Sequence, residues 1–216
     1  MPKHKSLIDK LGDAVEIGDV NSIKHILSHH QAQIPLDQPN MEDSNGHIYS
    51  LIVFAMTTRD YTNNYEVTQT LLSYGYPSQG FMIDGSQEKD ITIIDASPEP
   101  INMLTLLIEY GFDVNSTFQR VNGGKITSET PLIQSIYFSK SDLFQELLFK
   151  GADPFYIQTE YHNGNIIKRS IDQIITSRTM QSPKTAIDML IALDFAKHNY
   201  KRRNNNLLVM LLDSLE

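Results

Sequence analysis

Large apolar residues recur along the chain at helical spacing, in segments that run into a glycine. Three of these segments end at Gly75, Gly111 and Gly151, and the glycines are 36 and 40 residues apart. Adjacent leucines stand shortly before each glycine, at positions 71–72, 106–107 and 147–148. Such pairs are typical of the buried stripe of an amphipathic helix, and glycine readily takes the left-handed conformation that ends a helix. The pattern predicts a helical unit that repeats along the chain.

A second, shorter apolar element precedes the glycine-terminated helix, and it is clearest at residues 130–136. Thr130 is placed to accept a backbone N–H as the N-cap residue. Pro131 fits the first helical position, where its missing donor would be unpaired anyway. Asp113 and Asp153 follow two residues after their glycines and are suited to capping a turn. Each unit is thus predicted to contain a capped short helix, a turn, a longer helix, a glycine stop and an extended connector.

These motifs resemble the ankyrin repeat. Thr130-Pro131-Leu132 matches the helix-opening motif of that family, and Gly151-Ala152-Asp153 matches its Gly-Ala-Asp motif at the usual distance, 21 residues on. Residues 111–115 match the ending of the preceding unit, whereas Ile133 stands where the motif has histidine. The resemblance implies an all-α repeat solenoid of ankyrin-like stacked helix pairs with β-hairpin fingers. It also implies a protein–protein interaction module.

We assign residues 1–216 to a single ankyrin-repeat domain. Its five units are predicted at 7–36, 47–80, 90–115, 128–155 and 168–195, followed by a C-terminal capping helix near 204–215. Residues 57–65 are predicted to be an insertion between the helices of the second unit. Pro98 and Pro100 are expected to shorten the first helix of the third unit, because proline disrupts a helix interior.

Two connectors are longer than the usual ankyrin finger. Residues 116–128 contain Asn122-Gly123-Gly124, and residues 155–168 contain Asn163-Gly164. Extended residues flank both glycine steps. Asn-Gly between such runs is a strong hairpin signal, because both turn residues need positive φ. We predict two β-hairpin fingers that project side by side.

The formal net charge of −8 is unevenly distributed. Residues 1–117 hold 6 Lys and Arg against 16 Asp and Glu, whereas residues 118–216 hold 12 against 10. A net acidic chain disfavours nucleic-acid binding, because phosphate contacts need clustered basic side chains. The basic cluster of Lys197, Lys201, Arg202 and Arg203 is interpreted as a solvated turn before the last helix. A regulatory or nucleic-acid adaptor that uses this cluster is the alternative.

The chain contains no cysteine, which excludes disulfides and thiolate metal sites and suits a reducing compartment. No apolar run reaches the roughly 18 residues that a membrane helix needs, and the N-terminus lacks the apolar core of a signal peptide. We expect a cytoplasmic protein that is monomeric alone and does not engage a membrane. The degenerate repeats and the Asn-, Ile- and Lys-rich composition resemble ankyrin proteins of intracellular bacteria, some of which are effectors. Secretion into a host cell without a cleaved signal peptide is therefore the second interpretation.

Templates for catalysis are missing from the sequence. It has no Gly-rich phosphate loop and no Gly-x-Ser-x-Gly elbow. His25 and His29 are four residues apart but lack a third ligand, so we interpret them as helix surface. Glu160, Tyr161 and His162 are adjacent, yet a hairpin tip offers no desolvated pocket that would shift a pKa. We predict no catalytic, cofactor-binding or metal site, with an enzyme that uses an unrecognised pocket as the alternative.

Partner binding is predicted to involve the concave groove and the fingers of the third to fifth units. Aromatic side chains offer rigid contact area, and arginine offers directional hydrogen bonds. In the ankyrin pattern Tyr137 and Phe138 stand at positions that face the groove; packing within the repeat is the alternative for both. The predicted contact residues are Phe118, Arg120, Lys125, Tyr137, Phe138, Tyr156, Tyr161, His162 and Arg178.

Overall fold

A computed structural model describes residues 5–34, 39–42, 48–57, 63–78, 80–84, 87–91, 100–122, 124–178 and 182–213. The chain divides into two compact units, Met1–Asp113 and Val114–Glu216. Each unit contains helix pairs and one four-stranded antiparallel sheet, whose strands follow one another in chain order. The architecture within each unit is ankyrin-like. The assignment of the whole chain to one solenoid domain stays a prediction.

The first unit holds five described α-helices and four strands. Helix α1 packs against α2 and α3, and α4 packs against α2, α3 and α5. Its core contains large apolar side chains from every one of these helices, among them Leu11, Ile23, Leu27, Leu51, Leu71 and Leu106. The elements are α1 (Leu7–Glu16), α2 (Val20–His30), β1 (Pro39–Glu42), β2 (Ile48–Ser50), α3 (Leu51–Thr57), α4 (Asn64–Ser73), β3 (Gly80–Asp84), β4 (Gln87–Ile91) and α5 (Pro100–Glu109).

The second unit begins with a hairpin, and the helices that follow it pack against one another. Helix α7 packs against α6 and α9, and α8 packs against α6 and α9. The elements are β5 (Phe118–Asn122), β6 (Lys125–Glu129), α6 (Pro131–Tyr137), α7 (Ser141–Phe149), β7 (Ile157–His162), β8 (Asn165–Ser170), α8 (Ile171–Ser177) and α9 (Pro183–Asp213). Its most deeply buried side chains include Ile133, Ile136, Phe144, Leu147, Ile175 and Met189.

The start of α6 is the predicted capped end. The Thr130 hydroxyl accepts a hydrogen bond from the Ile133 N–H at 3.3 Å, and Pro131 is the first helical residue. Ile133 is fully buried in the core of the second unit. Ile133 therefore contributes apolar packing at the position where the ankyrin motif has histidine.

The predicted glycine stops are confirmed. Gly75, Gly111 and Gly151 have φ values of 90°, 88° and 97°. After Gly151, the Ala152 N–H donates to the Leu147 carbonyl at 2.9 Å, and the equivalent bond follows the other two glycines. This pairing satisfies a carbonyl that the helix end would leave free.

The loop that follows α7 is held by Asn115, which lies 36 residues before Gly151. Asn115 Nδ2 donates to the Gly151 carbonyl at 3.2 Å, and Asn115 Oδ1 accepts from the Asp153 N–H at 2.7 Å. Asp153 Oδ1 in turn accepts from the Phe155 N–H at 2.8 Å, which confirms its predicted turn-capping role. One side chain of the repeat motif thus joins two consecutive loops of the second unit.

Replacing Gly151 by valine is expected to lower the free energy of unfolding by about 1–2 kcal/mol. A Cβ built at this position meets nothing within 4 Å, so the cost comes from forcing a β-branched residue into positive φ. Gly151→Asn should cost less, because asparagine enters this region more readily. Chemical denaturation of the three proteins measures the difference, and equal midpoints would contradict this account of the helix end.

Both predicted hairpins are present, and each is antiparallel. Asn163 and Gly164 have φ values of 48° and 77°, as a two-residue turn requires. The fingers do not project separately, because β6 also pairs with β7 through Lys125–Thr127 and Glu160–His162. In the first unit β2 pairs with β3 in the same way. That first sheet was not predicted.

Two predicted boundaries differ from the structure. The capping helix near 204–215 is not a separate element, because α9 runs without interruption from Pro183 to Asp213. No glycine or further proline follows Pro183 within this helix, so nothing in the local sequence ends it. The third unit was predicted to begin at residue 90, which lies in β4. The rest of its predicted first helix and most of the predicted insertion at 57–65 lie outside the described residues.

Tyr76 is a buried phenol in the first unit. Its side chain is 4% exposed, and its hydroxyl has no hydrogen-bond partner among the described residues. Burial raises the pKa of Tyr76 to about 12. The ordinary pKa is about 10, so the folded state favours the neutral phenol. Ionisation of Tyr76 therefore costs the fold no stability below pH 10, and it lowers the free energy of unfolding as the pH rises from 10 through about 12.

Replacing Tyr76 by phenylalanine should therefore weaken the alkaline sensitivity of the fold. At pH 7 we expect equal or slightly higher stability, because the variant removes a buried hydroxyl that lacks a partner. At pH 11 the wild type should have lost about 1 kcal/mol more than the variant, relative to pH 9. Urea denaturation at the three pH values tests this expectation. Parallel losses in both proteins would show that Tyr76 ionises as freely as in an unfolded chain.

Candidate functional site

The sheet β5–β8 of the second unit presents two chemically different faces. Residues that pair directly across antiparallel strands point to the same face. Ile126 pairs with Tyr161, and Tyr161 pairs with Ile166, so these three side chains form one row across β6, β7 and β8. They are 37%, 48% and 59% exposed. We call them the apolar row.

The opposite face of the sheet is charged and partly buried. Glu129 and Glu160 are both buried on this face. Arg120 Nε lies 3.3 Å from Glu129 Oε2, and Lys125 Nζ lies 2.9 Å from Glu160 Oε2. Arg169 Nη1 lies 3.7 Å from the same Glu160 oxygen. We call these five residues the polar face, where each buried carboxylate is neutralised by at least one basic side chain.

Tyr137, at the end of α6, is joined to the sheet by a hydrogen bond. Its hydroxyl donates to Gln158 Oε1 at 2.9 Å, and Gln158 is buried in β7. Burial raises the pKa of Tyr137. The phenol therefore stays neutral and able to donate. Arg178, which follows α8, places its guanidinium carbon 4.8 Å from the centre of the Tyr137 ring, a cation–π arrangement.

Several predicted contact residues lie on opposite faces of this sheet. Tyr161 lies on the apolar row, whereas Arg120 and Lys125 belong to the polar face. His162 pairs with Lys125 and is exposed on the same side as the polar face. Tyr161 and His162, adjacent in sequence, thus point away from each other.

Three predicted contact residues are less accessible than expected. Phe118 is 7% exposed and belongs to the core, so we leave it out of the contact surface. Tyr137 and Tyr156 are half-buried, and the Tyr156 hydroxyl lies 2.8 Å from Ser128 Oγ. Only Tyr161 among the three predicted tyrosines is exposed. Phe138, at the C-cap of α6, is also exposed.

The sequence interpretation missed the isoleucines of the sheet. Ile126, Ile157, Ile166 and Ile167 are all exposed large apolar residues. A signal for them was present, because alternation counted outward from each Asn-Gly turn assigns every strand residue to a face. Aromatic and arginine residues were favoured as contacts, and aliphatic residues were assigned to the core by default.

A depression in the described part of the second unit is lined by residues that include Ile136, Ser139, Arg178 and Met189. It is shallow and open, with a cavity volume of about 10 Å³. Sites for drug-sized ligands typically reach about 300–1,000 Å³. Among the described residues, no group of three or more His, Asp or Glu is arranged to hold a metal ion.

The basic cluster of Lys197, Lys201, Arg202 and Arg203 lies within α9, so the prediction of a turn before the last helix is wrong. Lys197 Nζ lies 2.7 Å from Asp172 Oδ1, and this bond lowers the pKa of Asp172. Lys201, Arg202 and Arg203 are exposed. Within the described ranges, no helix is both long and apolar enough to span a bilayer.

Among solved structures, the chain is similar to the ankyrin repeat domain of Bcl-3, described as a unique member of the IkappaB protein family. The identity is 15% and the TM-score is 0.43, over 87% of this chain and 85% of that chain. No protein-family model matches the sequence, and no match is found among curated proteins. The ankyrin-like features of the chain are its helix pairs, glycine stops and hairpins.

Proposed function

We propose that this ankyrin-like chain is a protein–protein interaction module whose second unit carries the contact surface. The observation that supports the proposal most directly is the apolar row, Ile126, Tyr161 and Ile166, held in register on three paired strands. Contiguous exposed apolar surface on a folded protein is typical of an interaction site. A catalytic role would need a closed, desolvated site, and the depression beside Ile136 and Arg178 is shallow and open.

The row is suited to binding because its backbone is already ordered. Strand pairing on both sides of β7 restrains Tyr161, so little conformational entropy remains to be lost on association. Lys168, exposed on β8, lies on the same face and adds a positive charge beside the row. A partner with an apolar patch bordered by acidic residues would complement this surface. The effector role and the place of action stay predictions.

A double replacement, Tyr161→Ala with Ile166→Ala, tests the surface. We expect partner affinity to fall by at least about tenfold, or 1.4 kcal/mol. Thermal stability should change little, because both side chains are about half exposed. Affinity capture from bacterial and eukaryotic lysates, followed by mass spectrometry, supplies the partner, and calorimetric titration of the purified pair supplies the affinity.

The matched control is Ile187→Ala with Ile191→Ala on α9. Both isoleucines are more than half exposed, so the control removes similar apolar area from a different surface. We expect it to leave affinity within about twofold of the wild type. If the control weakens binding and the sheet variant does not, the contact surface lies on α9 and the proposal is wrong.

A further inference from the structure

Both sheets of the protein are built by the same pairing rule. The second strand of one hairpin pairs with the first strand of the next hairpin, as β2 does with β3 and β6 does with β7. In the second unit this contact involves the residues next to the turn, Lys125–Thr127 opposite Glu160–His162. Each hairpin thus offers its second strand as an edge for one further antiparallel strand.

Strand β8 is the end of this series. It pairs with β7 and, among the described residues, is the outer strand of its sheet. Its residues Asn165, Ile166, Ile167 and Lys168 are all exposed, so no described helix covers the edge. An uncovered edge strand presents unpaired backbone donors and acceptors to solvent.

The turn determines which backbone groups of β8 face outward. Asn163 and Gly164, the two central residues of the turn, both have positive φ. In such a turn the His162 carbonyl accepts from the Asn165 N–H, so the backbone groups of Asn165 face β7. The direction alternates along an antiparallel strand. The N–H and carbonyl groups of Ile166 and Lys168 therefore face away from β7, and those of Ile167 face toward it.

The same alternation accounts for the strand pair that already exists. Asn122 and Lys125 close the turn between β5 and β6, so the backbone of Ile126 faces outward from its hairpin. It meets the outward-facing backbone of Tyr161. Ile166 occupies on β8 the position that Ile126 occupies on β6. The outer edge of β8 thus resembles the outer edge of β6. Strand β7 pairs with β6, whereas no described strand pairs with the outer edge of β8.

We propose that the edge of β8 binds an extended segment of a partner protein, which adds as an antiparallel fifth strand. The proposal rests on the interaction function proposed above and specifies its mode. By analogy with β7, the segment places an aromatic or β-branched residue opposite Ile166, where it extends the apolar row. The preceding residue, opposite Ile167, is acidic, as Glu160 is in β7, and it lies diagonal to Arg169.

A second copy of the chain is a poorer occupant of this edge. Antiparallel pairing of two β8 strands would bring Lys168 and Arg169 of both copies into one short stretch. Like charges that face each other across strands are destabilising, and lysine on an edge strand is a common device against self-association. The same two positive charges favour an acidic segment.

The probe for this edge is a synthetic peptide with the sequence of residues 156–162, Tyr-Ile-Gln-Thr-Glu-Tyr-His. Two versions carry one N-methyl group each. Methylation of the second tyrosine, which corresponds to Tyr161, blocks the N–H that would face β8. Methylation of the glutamate, which corresponds to Glu160, blocks an N–H that points away and serves as the matched control.

Titration into the ¹⁵N-labelled full chain, followed by NMR and amide hydrogen exchange, gives the readout. The unmodified peptide should slow exchange at the amides of Ile166 and Lys168. Methylation at the tyrosine should weaken binding by at least about tenfold, and methylation at the glutamate by less than about twofold. Equal effects of the two methyl groups would overturn the proposal. So would chemical-shift changes confined to Lys125–Thr127, which would mean exchange with β7, or protection of Ile166 and Lys168 by raised protein concentration alone.

The variant Lys168→Pro separates this proposal from the general function. Its missing N–H lies on the outer edge, so the pairing of β7 with β8 should persist, as the NMR spectrum will verify. We expect this variant to lower the affinity for the captured partner by at least about tenfold. If only the Tyr161 and Ile166 double variant lowers the affinity for the partner, the interaction function stands and strand addition is wrong. If neither variant does, both proposals are wrong.

Discussion

Replacing Phe144 by alanine will lower the free energy of unfolding by about 3–5 kcal/mol. Phe144 lies in α7 and is fully buried where α7 packs between α6 and α9. The variant loses the transfer free energy of the ring and leaves a cavity that neighbouring helices cannot close completely. A loss of this size is a large part of the total stability of a typical domain. Denaturant-induced unfolding, followed by circular dichroism, measures it.

The control lies five residues along the same helix. Phe149 ends α7 with 81% of its side chain exposed, so Phe149→Ala removes the same ring from solvent-facing surface. We expect its effect to stay within about 0.5 kcal/mol. Similar losses of stability in the two variants would mean that α7 is rotated and that Phe144 is not the residue that faces the core.

Replacing Leu71 by alanine will lower the free energy of unfolding by about 2–5 kcal/mol. Leu71 is fully buried in α4, the helix that contacts α2, α3 and α5 in the first unit. The matched exposed position is Ile17, at the C-cap of α1, where Ile17→Ala should be nearly neutral. A small effect of Leu71→Ala would contradict the proposed core of this unit.

The Phe144 and Leu71 variants together test the assignment of the chain to one domain. If residues 1–216 unfold as a single cooperative body, both variants shift the same transition. Spectroscopic probes placed in each unit should then report coincident midpoints in every protein. Two transitions, each shifted by one variant, would replace the single-domain assignment with two independent units.

Helix ends and turns were predictable because each depends on a few neighbouring residues. Thr130 and Pro131 specify the start of α6, and Gly151 specifies the end of α7, whatever packs against them. The same local reasoning applies to segments where it was not used. Asn45-Gly46 lies between β1 and β2 in the sequence, and Gly85-Ser86 lies between β3 and β4, so the first sheet also carried its hairpin signals.

The continuous α9 shows the limit of reasoning from a family pattern. The ankyrin resemblance led us to end the fifth unit near residue 195 and to begin a separate cap near 204. The sequence between these positions has no glycine and no proline, and it favours continuation of the helix. Local propensity predicted this segment better than the repeat length did.

The composition of the contact surface depends on strand pairing and therefore on residues far apart in the chain. Tyr137 meets Gln158 and Arg178 only because α6, β7 and the end of α8 come together in the second unit. Phe118 was predicted as a contact because it is aromatic, yet packing places it in the core. Residue type alone does not distinguish these outcomes, since both surfaces and cores use aromatic side chains.

Local sequence patterns were sufficient for the repeat, the helix caps, the glycine stops and the two hairpin turns, because short-range hydrogen bonds and allowed φ values govern them. The pairing of β6 with β7, the apolar row and the open edge of β8 required the folded chain. Tyr161 and His162 show why. They are adjacent in sequence, but the alternation of a strand sends them to opposite faces, and the register with Ile126 and Lys125 determines which neighbours each one meets.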